Sequence, residues 1–114
     1  MNYSITTSSY FDVAAKRLAK KYPSFKEDLK TFRKELLDNP LQGDELSPGI
    51  RKIRMAIKSK GKGKSGGTRI ITYNFIAHEV GGVIVLLFVY DKGDASSVKI
   101  NVLKQIIKEE GYPI

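Results

Sequence analysis

The sequence contains no cysteine and a single histidine, His78. Without thiols, disulfide staples and thiolate catalysis are excluded. A zinc site would need carboxylates around one imidazole, a poor match to the Cys and His sets that hold structural zinc. No metal or other cofactor is therefore expected. The most apolar run, Val80 to Tyr90, falls well short of the ~20 residues that cross a bilayer. The opening stretch, Met1 to Ser9, lacks the basic and then apolar regions of a signal peptide. A cytoplasmic protein without membrane association is the expectation.

Acidic residues are missing from one segment. Arg51, Lys52, Arg54, Lys58, Lys60, Lys62, Lys64 and Arg69 follow one another with no Asp or Glu between them. The remaining twelve basic residues match the 12 acidic ones, so the formal charge of +8 coincides with this stretch. Charge concentrated this way makes a local positive field, which points to a polyanion held at one place. With 114 residues, 41% hydrophobic and 28% charged, one folded domain spanning 1–114 is expected.

The first third reads as a short strand and two helices. Tyr3 to Thr6 alternates. Ser8 or Ser9 can then cap a helix to about Lys21, with Phe11, Ala15, Leu18 and Ala19 at helical spacing. Pro23 stops it, and Ser24 with Glu27 spells a capping box for a second helix carrying Phe25, Leu29, Phe32 and Leu36 as its apolar stripe. So short a connection predicts an antiparallel helical hairpin, closed by Asn39-Pro40.

The second half reads as sheet. Ile53, Met55 and Ile57 alternate with Lys52, Arg54 and Lys58 in a half-buried strand. Ser59 to Gly67 reads as a loop, Thr68 to Ile76 as a second strand, Gly81-Gly82 as a turn, and Val83 to Tyr90 as a strand covered on both faces. A final helix carries Val98, Val102, Leu103, Ile106 and Ile107. The predicted class is α+β, in the order β-α-α-β-β-β-α. Asp44-Glu45 and Glu109-Glu110 read as solvated faces, His78 as a surface turn residue, and Lys16, Lys20 and Lys21 as the outer side of the first helix.

Two nucleotide motifs are present only by letter. Gly61-Lys62-Gly63-Lys64-Ser65-Gly66 fits G-x-G-x-x-G, but a dinucleotide fingerprint must open a helix, and here strand-forming residues follow. Gly63-Lys64-Ser65 lacks the earlier glycine of a P-loop, since Lys58 stands in its place. A basic hairpin loop is the better reading, either merely solvated or gripping a phosphate backbone. Lys52 and Arg54 project from one strand face, with Arg69 opening the neighbouring strand and Tyr73 and Tyr90 placed to share that face. Converging cations stabilise a developing pentacoordinate phosphate, and like-charge repulsion lowers a lysine's pKa. A lysine or tyrosine there is a candidate base for a ribose 2′-hydroxyl. A basic face that merely stays wet fits the same spacing. Arg51 follows the Pro48-Gly49 turn, where anchoring the strand start is the simpler reading.

Gly49 to Ala56, Lys60 to Gly67, Arg69 to Tyr73 and Val89 to Lys92 together resemble the RelE/ParE toxin superfamily, most closely its RelE and HigB branch. The resemblance covers almost the whole chain. It implies the RelE-like fold, an N-terminal strand and helical hairpin packed on an antiparallel sheet with a C-terminal helix. It also implies the toxin of a type II toxin–antitoxin pair, which enters the ribosomal A site and cleaves mRNA without metal until an antitoxin blocks it. By this resemblance the catalytic set is Arg54, Arg69, Lys52, Tyr90 and Lys92. The RNA-binding set is Arg51, Lys58, Lys60, Lys62, Lys64 and Tyr73, facing mRNA and ribosomal RNA. Asp91 stands where several relatives place a histidine, so the phosphate-binding arginines carry over more directly than the proton-transfer groups. A ParE-like inhibitor of DNA gyrase and a non-catalytic ribosome- or RNA-binding protein are the rival readings.

Overall fold

The computed structural model describes residues 2–61, 63–77, 81–94 and 97–114. Strand β1 (Tyr3–Thr7) leads into helices α1 (Ser9–Lys21) and α2 (Phe25–Asp38). Strands β2 (Asp44–Ser47) and β3 (Ile50–Met55) follow, then a 3-10 turn at Lys58–Lys60 and one helical turn, α3 (Gly63–Gly66). Strands β4 (Thr68–Ala77) and β5 (Gly81–Asp91) and helix α4 (Ile100–Glu109) complete the chain. The strands form one sheet in the order β1-β5-β4-β3-β2. The class is α+β, as the periodicities predict.

Ser8 joins the helical layer to the sheet. Its side chain accepts from the Phe11 N–H at 3.0 Å, capping α1, and donates to the Leu87 carbonyl at 2.6 Å. One buried hydroxyl thus sets both the start of α1 and its position over β5. Helices α1 and α2 cover one face of the sheet: Phe11, Leu18, Phe25, Phe32 and Leu36 pack on Ile53, Met55, Ile70, Ile84 and Val89. Helix α4 covers the other, with Leu103, Ile106 and Ile107 against Ile50, Ile71, Tyr73, Val85 and Leu87. Two cores, one on each face, make β4 and β5 apolar on both sides.

Four expectations need correction. The sheet is mixed, because β1 runs parallel to β5 with Tyr3 beside Gly82. A Cβ on Gly82 would lie 2.3 Å from the Tyr3 ring, so any larger residue there would displace that ring. Gly81-Gly82 therefore open β5 and are not a turn; His78 lies outside the described residues. A strand missing from the expected order, β2, carries Asp44 and Glu45, which are exposed as expected and stand opposite Lys52 and Arg51 around the Pro48-Gly49 turn. Ser24 makes no cap to its helix; its hydroxyl donates instead to the Asp28 carboxylate at 2.6 Å.

Glu109 and Glu110 are also engaged. Tyr10 donates to Glu109 at 2.6 Å, and the Ser9 hydroxyl donates to Glu110 at 2.9 Å, joining the end of α4 to the start of α1. Among the described residues, no helix is long and apolar enough to cross a membrane.

Candidate nucleic-acid interface

Strand register brings the central residues together. Arg54 on β3 lies directly opposite Arg69 on β4, and Arg69 lies directly opposite Tyr90 on β5. Opposed residues on antiparallel neighbours share a face, with Cβ atoms about 5 Å apart. The three side chains therefore form a row across the sheet, on the α4 side. Lys52 shares this face two residues back along β3, in the row of Ile71 and Phe88. Tyr73 lies a further row away, opposite Ile50, about 13 Å along the strand from Arg69 at the usual rise. The face thus grades from apolar under α4 to cationic at its far end.

Within the row the environments differ sharply. Arg54 is exposed, whereas Arg69 is 8% and Tyr90 6% exposed. Arg69 donates from Nη1 to the carbonyls of Lys64 and Thr68, both at 3.3 Å, and from Nη2 to that of Ser65 at 3.2 Å. Of the five guanidinium donors, Nε–H and one Nη2–H have no partner among the described residues and can serve a ligand. The Tyr90 hydroxyl is buried and has no hydrogen-bond partner among the described residues. Burial raises its pKa, only partly opposed by the positive charge of Arg69. The phenol is held protonated, ready to donate and unfit to act as a base.

The segment read as a loop is instead a built platform with a 3-10 and a helical turn. Buried Asp28 accepts from the Lys58 N–H at 3.0 Å, and the Ser59 N–H donates to Ser24 at 2.8 Å, fastening its start to α2. Lys60 donates to Asp91 at 2.7 Å and lies over the Tyr22 ring at 5.5 Å. Gly67 accepts from the Lys92 N–H at 3.2 Å and sits so close to β3 that a Cβ would approach the Met55 carbonyl to 2.1 Å. Burial alone would raise the Asp91 pKa, but hydrogen bonds from Lys60, Tyr22 and the Gly93 N–H hold it well below the usual carboxylate range. Lys21 adds a longer contact at 3.6 Å from the surface.

The predicted residues divide accordingly. Lys58, Lys64 and Lys92 are exposed around the platform, Lys64 standing 3.9 Å from Glu35. Lys62 lies outside the described residues. Three of the expected RNA contacts are committed elsewhere. Lys60 is paired with Asp91. Tyr73 is buried and donates to the Pro113 carbonyl. Arg51 takes the opposite strand face, donating to the carbonyls of Gln42 and Gly43 at 3.0 Å and lying 3.7 Å from Glu45.

The sequence reading took Ser24 as a helix cap with Glu27 and Asp91 only as the residue in place of a histidine, and gave Asp28 and Ser59 no role; these four organise the platform. A cavity of about 180 Å³ lies beside Arg54, Lys58 and Lys64, against α2. A larger one, about 580 Å³, opens beyond the end of β1 and reaches Tyr90 but none of the basic residues of the hairpin. No group of three or more His, Asp or Glu suited to a metal occurs among the described residues. No protein-family model matches the chain.

Proposed function

We propose that this protein is the toxin of a type II toxin–antitoxin pair, a ribosome-dependent mRNA endonuclease of the RelE/HigB kind on a RelE-like scaffold. The observation that carries the reading is the row Arg54–Arg69–Tyr90: an exposed cation, a buried cation and a buried phenol with no hydrogen-bond partner among the described residues, side by side. A solvated basic face has no reason to bury a hydroxyl without a partner, since such a group costs stability.

The chemistry follows from these groups. The ribose 2′-oxygen forms a bond to phosphorus, the P–O5′ bond breaks, and a 2′,3′-cyclic phosphate and a free 5′-hydroxyl result. Arg54 and the unused donors of Arg69 stabilise the charge that develops on the phosphoryl oxygens. Tyr90, protonated, donates toward the leaving 5′-oxygen or a phosphoryl oxygen. Lys52, on the same strand face, and Lys92, just past β5, are the candidate bases, each able to take the 2′-proton only as the neutral amine. Lys58 and Lys64 hold flanking RNA, and a cognate acidic antitoxin segment over this face would pair the same charges. The test is a bacterial cell-free translation reaction with mRNA 5′ ends mapped by primer extension, beside a ribosome-free control. Growth arrest with intact mRNA would favour a gyrase-directed or binding-only protein of the same fold.

A further inference from the structure

The helical layer carries a second basic feature, on the sheet face opposite the Arg54–Arg69–Tyr90 row. Two adjoining cavities, about 430 and 360 Å³, share Lys26 and Leu29 and together form a groove along α1 and α2. Its rim is Lys16 and Lys20 on α1 and Lys26, Lys30, Arg33 and Lys34 on α2, and no acidic residue lines it. None of these six makes an ion pair among the described residues. Repeated like charges at i, i+4 oppose helix formation, so they are a cost to the fold itself. The floor is aliphatic: Ala15, Ala19 and Leu29 lie between the cations, and Leu37, 46% exposed, continues it.

We infer that this groove docks an acidic amphipathic helix of a partner protein. Cations four residues apart on α2 recur about every 6 Å, the spacing at which a second helix presents carboxylates from one flank. The small side chains of Ala15 and Ala19 let that helix approach closely, and Leu29 and Leu37 receive its apolar anchors. A nucleic-acid backbone would engage the rim alone and leave the floor uncovered. Protein interfaces use both, with an apolar centre and a charged rim. The inference does not depend on the nuclease reading, because it concerns the other face of the sheet.

The probe is a fluorescent 18-residue Glu/Leu peptide with leucines at i, i+3, i+4 and i+7. A scrambled peptide of equal composition and a single-stranded RNA of equal charge serve as comparisons. Amide shift mapping on the intact chain locates the binding, and anisotropy titration ranks it. The expected result is one-to-one binding with shifts confined to α1 and α2. The scrambled peptide should bind at least tenfold more weakly, and Lys26→Glu/Arg33→Glu should weaken the amphipathic peptide at least tenfold. Both substitutions are on exposed positions, and an unchanged amide spectrum elsewhere reports that the fold persists. Equal binding of the two peptides would overturn the inference, as would shifts centred on Arg54 and Arg69. A charge reversal that weakens RNA but not peptide would assign the groove to nucleic acid instead.

Discussion

The Tyr90 hydroxyl is buried with no hydrogen-bond partner among the described residues, and this has opposite consequences for stability and activity. Tyr90→Phe removes the unsatisfied hydroxyl while keeping the ring, so stability should hold or rise by about 1 kcal/mol in urea denaturation. If the phenol donates in the reaction, cleavage should fall roughly a hundredfold in the same variant. The two arginines separate similarly. Arg54 is exposed and holds no partner among the described residues, so Arg54→Ala should leave stability within about 0.5 kcal/mol. Arg69 satisfies three backbone carbonyls, so Arg69→Ala should cost about 2–3 kcal/mol. Loss of activity in Arg69→Ala therefore mixes chemistry with folding, and thermal melts of both variants check the difference.

Helices α2 and the β3–β4 hairpin meet through a few buried polar groups, and the platform depends on them. Asp91→Asn breaks a buried pair with Lys60 and should cost about 3–5 kcal/mol by chemical denaturation. The pH dependence has a definite sign. Asp91 has a lowered folded pKa, so as pH falls the unfolded chain takes the proton first, near pH 4. Its contribution is complete above about pH 5 and declines below pH 4; Asp91→Asn should flatten that decline. Gly67→Ala forces the Met55 carbonyl aside and should destabilise the hairpin, read as faster amide exchange in β3 and β4.

Elements with an apolar period were legible: α1, α2, β3, β4, β5 and α4 all follow from residue spacing. Two features were not. Strand β2 is short and mostly polar, so its pairing rests on backbone bonds, opposed charges and a single partly buried apolar side chain, Leu46. The parallel pairing of β1 with β5 joins residues about eighty positions apart, which no local pattern encodes. Alternation did place Lys52, Arg54, Arg69 and Tyr90 on one face. It could not reveal that Lys60, Tyr73 and Arg51 are spent on Asp91, Pro113 and the Gln42–Gly43 backbone.

Over the whole molecule, charge is segregated twice. The sequence outside 51–69 sums to zero, yet in space six of its twelve cations line the α1–α2 groove while Glu109 and Glu110 face the start of α1. Counting charges along a chain cannot detect a separation that helix packing creates. The Arg54–Arg69–Tyr90 row belongs to the α4 face of the sheet and the groove to the outer side of α1 and α2, and no residue lines both the groove and the cavity beside Arg54. The two surfaces should therefore act independently, and Lys26→Glu/Arg33→Glu should leave mRNA cleavage unchanged when single-turnover rates are compared.

The central claim is that the Arg54–Arg69–Tyr90 row cuts mRNA on the ribosome, and primer extension on cell-free translation reactions tests it most directly. The expected result is cuts within codons that require ribosomes and that Arg54→Ala abolishes while melting as the parent does. Intact message at protein concentrations that arrest growth, or cuts that persist in folded Arg54→Ala, would contradict it.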